Sequence, residues 1–344
     1  MSQDPIDRAP VGHKSLVETN GDHLAQEDLP PAVIVAGPTA SGKSDLAMKL
    51  AEVFQGTVIN ADALQVYRDI LLLSAQPGKE EQARVPHRLY GFAEADTRFS
   101  AAYWSELAEQ EIQAARLDGR LPILTGGTGL YLKALEEGLA TAPAVAPETR
   151  AAARQRLEEL GRDAFVEEVR QLDPEMAGRL HPNDSQRLLR AWEVARDTGR
   201  PLSDWQRETA VAPAPFRFLW LVLLPPRAEL GAVCDQRFLK MVDAGALEEV
   251  RQLMALEPPE DATIRKAVGV RELSAHLEGA LSLEDAIEAA QRATRRYAKR
   301  QETWLRTQVL RHKKNVHLEQ TKYYESAEER IFSIIRQFVL TPQG

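Results

Sequence analysis

Short apolar runs rich in β-branched residues alternate along this chain with longer stretches whose apolar positions recur at helical spacing. AVIVAG at 32–37 is followed by a helical pattern over 42–54 and then by TVIN at 57–60. The alternation returns with PILT at 122–125 and FLWLVLL at 218–224. Strand-helix-strand order of this kind predicts an α/β core, a parallel sheet flanked by helices. Between the last two runs, residues 142–215 change character. Pro143 and Pro147 open Ala-, Arg- and Glu-rich helical stretches with no convincing strand, and VAPAPF closes them. This predicts an all-helical insertion domain bounded by prolines, which leaves 32–141 and 216–344 as the core. From Ala232 onward the pattern is again mostly helical, broken at Pro258-Pro259.

Residues 1–31 lack periodicity and hold six acids against Arg8 and Lys14. They read as a disordered acidic leader, without the apolar stretch or basic character of a signal or transit peptide. No internal repeat is evident. With 344 residues, about two ordinary domains are expected. The 44% hydrophobic and 27% charged content is that of a soluble chain with no run long enough for a membrane span. Cys234 is the single cysteine, which excludes an intramolecular disulfide and a multi-cysteine zinc site and fits a cytoplasmic protein. His87, His181, His276 and His312 show no metal spacing.

The net charge of −8 argues against a nucleic-acid partner, but its distribution reverses that impression. Between Arg292 and Lys314 lie nine basic residues against one acid, Glu302. If 286–306 is helical, Ile287, Ala290, Thr294, Tyr297, Gln301 and Trp304 share one face, and Arg292, Arg295, Arg296, Lys299 and Arg306 another. Matching acids at i±4 are nearly absent, so the basic face suits phosphates better than a merely solvated helix would.

GPTASGKS, comprising Gly37, Pro38, Thr39, Ala40, Ser41, Gly42, Lys43 and Ser44, matches the phosphate-loop pattern, follows a predicted strand and opens a predicted helix. Backbone amides and the helix N-terminus would hold an anion, Lys43 adds a point charge, and Ser44 offers a hydroxyl to Mg²⁺. The core is therefore expected to resemble phosphate-loop NTPases. Yet LPILT ends in Thr125 and runs into GGTGLY without the acid that nucleotide hydrolases place there, which favours group transfer. TVINADALQVY sets Asp62 just past a strand end, where it can accept a proton from an incoming nucleophile; a helix-capping Asp is the alternative. GGTGLY with Thr128 either closes over a diphosphate or serves tight strand-helix packing.

GPTASGKS, NADALQVYR, ILTGGTGLYLKAL, QRLLRAWEV, QRFLKMVDAGALEEV, AVGVREL and TRRYAKRQETWLR occur in the order found in tRNA dimethylallyltransferases, the tRNA isopentenyltransferases of bacteria. The chain resembles that family from about residue 31 to 316. The resemblance implies transfer of a dimethylallyl group from dimethylallyl diphosphate to N6 of the adenosine 3′-adjacent to the anticodon of tRNA, with Mg²⁺. Lys43, the loop amides, Ser44 with Mg²⁺, Thr39 and Thr128 would grip the diphosphate, Arg237 would join them, and Asp62 would be the base. The family's RNA-contacting segments map onto Asp62, Ala63, Leu64 and Gln65; onto Gln186, Arg187, Leu188, Leu189 and Arg190; onto Arg265 and Arg271; and onto Thr294, Arg295, Arg296, Lys299, Arg300 and Gln301. A monomer is expected. Departures from the family pattern are Ala63 for serine, ILLLSAQP for LDIGTAKP, and Val270 for the tyrosine of GYRE. Three other readings stay open: a nucleoside or small-metabolite kinase, an isopentenyltransferase acting on free AMP, and a non-catalytic RNA-binding module switched by a phosphate compound.

Overall fold

Strict alternation inside the apolar runs decides which side of the sheet each residue covers. In the first strand Ala32, Ile34 and Ala36 enter one core cluster, while Val33 and Val35 enter the other. The same split separates Phe218, Trp220 and Val222 from Leu219, Leu221 and Leu223. A strand buried on both faces belongs inside a layered α/β fold. The computed structural model describes residues 29–97, 99–140, 142–209, 212–320 and 328–340. Six strands, β1 (Pro31–Ala36), β2 (Gly56–Asn60), β3 (His87–Arg88), β4 (Leu121–Gly126), β5 (Arg217–Leu223) and β6 (Val316–Glu319), form one sheet in the order β3-β2-β4-β1-β5-β6. Every pairing is parallel, with Val33 opposite Ile123 on one side and Leu219 on the other.

Ahead of the region read as an insertion, the helices are α1 (Lys43–Val53), α2 (Leu71–Ser74), α3 (Lys79–Arg84), α4 (Ala101–Leu117) and α5 (Gly129–Glu137). Four more follow in the region read as an insertion: α6 (Pro147–Leu172), α7 (Pro174–Arg179), α8 (Ser185–Thr198) and α9 (Leu202–Glu208). The C-terminal part adds α10 (Arg227–Asp243), α11 (Ala246–Ala255), α12 (Val270–Leu277), α13 (Leu283–Trp304) and α14 (Glu328–Leu340). Helices α4 and α5 cover one sheet face, and α1 with α14 the other. Residues of α6 to α9 gather around Phe165, Val169, Leu188 and Trp192 in a cluster separate from both sheet faces. Another cluster joins α10 to α13 with Val66, Tyr67 and Ile70.

Most expected elements form where periodicity puts them, but two strands went unforeseen. β3 is two residues long, too short to show alternation. β6 lies in a region read as helical, after the basic stretch, and pairs with the edge of β5 through backbone groups that carry no sequence signal. The leader falls outside the described residues as far as residue 28, while Pro31, counted with it, begins β1 and pairs with Arg217.

Candidate active site

The phosphate loop joins the central strand β1 to α1. Ala40 and Gly42 take left-handed backbone angles, φ 65° and 87°. No side chain caps α1, so the amides of its first turn keep the unmet donors of a helix N-terminus. Gly37 is required by space, since a Cβ there would meet the Leu223 carbonyl at 2.9 Å and the Ser41 hydroxyl. Not every amide of the loop faces the cradle. Pro38 has none, Ser41 N–H donates to the Pro38 carbonyl at 3.2 Å, and Thr39 N–H donates to Gln301 Oε1 at 2.8 Å.

Asp62 follows the end of β2 and is held there by Asn60, a fully buried residue the sequence reading passed over. Asn60 Oδ1 accepts the Asp62 N–H at 2.8 Å, and Asn60 Nδ2 donates to the Asp62 and Leu89 carbonyls at 3.0 and 2.9 Å. Asp62 Oδ1 in turn accepts the Leu64 N–H at 3.0 Å. The next helix starts only at Leu71, so Asp62 caps none; its bond to Leu64 closes a local turn that fixes the carboxylate at the pocket wall. Thr128, expected on the diphosphate, accepts the Ala63 N–H at 2.9 Å and so staples the strand ends of β2 and β4.

Thr39, Ala40, Asp62, Arg237, Thr294 and Tyr297 line one pocket whose open space, mouth included, is about 590 Å³; Leu64, Leu73, Phe238 and Met241 give it an apolar side. Burial lowers Lys43 from 10.5 to about 8, opposed by the field of Asp62 and reinforced by that of Arg237. Desolvation also lowers Arg237, against the opposing fields of Cys234, Asp62 and Asp45. Two cations kept short of water, with Asp62 acting on both and Asp45 on Arg237, make a site that an anion would relieve. Burial raises the Tyr297 phenol, and the field of Asp62 raises it further. The α2 wall of the pocket is pinned by Glu249, whose carboxylate accepts the N–H groups of Leu72 and Leu73 at 2.7 and 2.9 Å.

A second recess of about 360 Å³ is lined by Ser44, Gln65, Tyr90 and Thr125 among others. The buried hydroxyls of Ser41 and Thr125 have no hydrogen-bond partner. Among the described residues no three His, Cys, Asp or Glu side chains gather as a metal cage. Hydroxyl and amide oxygens with a single lining carboxylate, Glu81, suit a hard cation that keeps its waters and takes most of its charge balance from substrate phosphates, as Mg²⁺ does.

The glycines of GGTGLY sit against close neighbours. A Cβ on Gly126 would strike the Ala61 backbone, on Gly127 the Gln301 amide, and on Gly129 the Trp304 ring. Residues expected on RNA divide into those that face out and those that do not. Arg296, Lys299 and Arg300 are exposed on α13, the last stacked over Tyr297 at 5.5 Å, and Gln186, Arg187 and Arg271 are also exposed. Gln301 is buried, with its amide engaged by the loops. Leu188 is 1% exposed in the insertion core, Leu189 packs against that core, and Ala63 packs against the sheet cluster. Gln65 donates internally to the Ser74 and Ala75 carbonyls, Arg190 to Pro143, and Arg265 to Pro258. Arg295 pairs with Asp235 of α10, and Arg292 with Glu288, so the basic face is more neutralised than local spacing indicated. Asp235 could not be foreseen as a partner because it lies on another helix. Val270 is buried among α10 to α13, in a position where it meets core rather than solvent.

Residues 65–308 match the family model described as IPP transferase. The chain is 52% identical over 289 residues to the tRNA dimethylallyltransferase of Rhodospirillum rubrum, covering 84% of this chain and 89% of that one. It is 53% identical over 280 residues to the enzyme of the same name from Rhodospirillum centenum, covering 81% and 89%. Among solved structures, the full-length tRNA isopentenylpyrophosphate transferase of Bacillus halodurans superimposes with a TM-score of 0.64 at 29% identity, over 92% of this chain and 98% of that one. A eukaryotic dimethylallyltransferase acting on tRNA gives 0.73 at 27% identity, over 90% and 80%.

Proposed function

The chain belongs to the IPP transferase family, and on that premise we propose that it transfers a dimethylallyl group from dimethylallyl diphosphate to N6 of the adenosine 3′-adjacent to the anticodon of tRNA, releasing diphosphate. The observation that carries this reading is the sharing of one pocket by the phosphate loop, the Asp62 carboxylate and the desolvated cation Arg237, with Lys43 inside the field of both.

The reaction breaks the bond between the allylic carbon and the diphosphate oxygen and forms a bond from that carbon to N6. Negative charge grows on the leaving diphosphate. In this reading Lys43, Arg237 and the amides at the start of α1 meet that charge, and so stabilise the transition state more than the bound donor. Bound Mg²⁺, held by Ser44 with the unpartnered Thr125 hydroxyl nearby, would neutralise further charge on the diphosphate. N6 is a poor nucleophile because its lone pair is delocalised into the ring. It must shed a proton as the new bond forms, and Asp62, fixed by Asn60, accepts it. The target adenine leaves its stack to enter the pocket, at a cost of a few kcal/mol that RNA binding must offset. Arg296, Lys299 and Arg300 supply part of that binding through phosphate contacts.

A cytoplasmic monomer acting on tRNA fits this chemistry; among the described residues no helix is long and apolar enough to cross a membrane. The decisive experiment incubates the protein with dimethylallyl diphosphate, Mg²⁺ and unmodified tRNA, followed by nucleoside mass analysis. One prenyl unit gained by a single adenosine is the expected product. Prenylation of free AMP with tRNA untouched would identify the smaller acceptor instead. Consumption of ATP without RNA would identify a kinase.

A further inference from the structure

Helix α13 presents two chemically different faces near its C-terminal end. Arg296, Lys299 and Arg300 are exposed, whereas Thr294 and Tyr297 line the pocket and Gln301 is 5% exposed. Gln301 Oε1 accepts the Thr39 N–H at 2.8 Å, and Gln301 Nε2 donates to the Gly127 carbonyl at 3.2 Å. The partners fix which end of the amide is which, because a backbone N–H can only donate and a carbonyl can only accept. One side chain thereby bridges the phosphate loop after β1 to the glycine turn after β4. Gly127 must be glycine for this bridge, since a Cβ would overlap Gln301 Nε2.

We propose that Gln301 is a positioning residue: its carboxamide fixes Thr39, and with it the phosphate loop, in the geometry that grips the donor diphosphate, and it does not contact RNA. The inference rests on the prenyl-transfer reading above. Thr39 reaches the pocket next to Cys234 and Arg237. Without an acceptor at Gln301 its N–H would be left unpaired in a half-buried loop, and the loop would relax toward other partners. Outer-face residues act differently, since their loss weakens attraction to phosphates all along the RNA without moving the donor site.

The test compares Gln301→Met and Gln301→Glu with the wild type, after thermal melts that establish folding. Dimethylallyl diphosphate affinity is measured by calorimetry, tRNA affinity by filter binding, and kcat and KM for each substrate by turnover. Gln301→Met is expected to weaken donor binding about tenfold, the usual scale for stranding a partly buried donor, with tRNA affinity unchanged within about twofold. Gln301→Glu keeps the acceptor for Thr39 but loses the donor to Gly127 and adds a negative charge beside the diphosphate. Its donor affinity, taken as a ratio to wild type, should recover as pH falls toward about 5 and the carboxyl takes up its proton. The ratio for Gln301→Met should stay flat. Folded variants with unaltered donor affinity, or with tRNA affinity lost and donor affinity kept, would overturn the inference alone. Wild-type protein that binds neither dimethylallyl diphosphate nor inorganic diphosphate would overturn the functional reading and this one with it.

Discussion

Replacing Lys43 by methionine should make the ligand-free protein harder to unfold at neutral pH while weakening its hold on diphosphate. Desolvation lowers Lys43 from 10.5 to about 8 in the fold, so the unfolded chain binds more protons than the native one between those values. Stability contributed by this group therefore rises with pH across that window, and below it the folded state carries an unfavourable charge. At about 1.36 kcal/mol per pKa unit the full penalty would approach about 3 kcal/mol. The side chain keeps partial exposure, and solvent screening cuts the figure to about 1 to 2 kcal/mol. Diphosphate reverses the local field and returns Lys43 to its charged form, so binding must take up protons. At about pH 8.5 a group with a pKa of about 8 is roughly one-quarter charged, which gives an uptake of about three-quarters of a proton. Protonation of the diphosphate itself occurs near pH 6 and has the opposite sign, release on binding, so the two limbs separate. Calorimetry with dimethylallyl diphosphate in buffers of different ionisation enthalpy reads the uptake directly, and Lys43→Met should remove it. Absence of uptake at the alkaline pH, or a methionine variant no more stable than wild type at pH 7, would refute the reasoning.

Three other expectations follow from the same geometry. Asp62→Ala should lower the transfer rate by about a hundred- to ten-thousand-fold with tRNA affinity nearly intact, as filter binding and single-turnover assays will read; parallel loss of both would remove Asp62 as the base. Arg296→Ala combined with Lys299→Ala should lower the slope of log affinity against log salt by about 1.5, since each phosphate contact contributes about 0.7 to 0.9; an unchanged slope would take α13 out of the interface. Arg295 is a poor choice for that test because Asp235 holds it. Residues 142–215, read as a domain of their own, are expected to close over the anticodon loop, so small-angle scattering should show compaction when tRNA is added, and an unchanged profile would count against closure.

Sequence pattern revealed the central strands because β1 and β5 are continuous apolar runs, and it revealed the phosphate loop because its residue types are dictated locally by backbone geometry. Asp62 was legible from its place after a strand. What escaped notice depends on distant partners. Periodicity puts Gln301 on the packing face of its helix and the resemblance puts it on RNA, but neither reveals its hydrogen bond to Thr39. The Thr128 oxygen accepts the Ala63 N–H, a link between two strand ends that its place in GGTGLY does not reveal. Asn60 has a readable signal, a polar residue closing the otherwise apolar strand TVIN, although its role as the anchor of Asp62 depends on the fold. Arg295 counts as free in the sequence because its partner Asp235 lies on another helix, whereas Glu288, four positions before Arg292 on the same helix, is a partner that local spacing does show.

The hydrogen bond from Thr39 to Gln301 spans 262 positions of the chain. During synthesis at about 5 to 20 residues per second, the loop is made well before the residue that braces it, so the nascent N-terminal half exists for roughly tens of seconds without its brace. Pairing of β1 with β5 imposes a similar wait on the sheet itself, and such long closures slow the search for the native topology. Competence for the donor should therefore emerge late and all at once, and ribosome-stalled chains that stop short of α13 should not yet discriminate diphosphate from other anions.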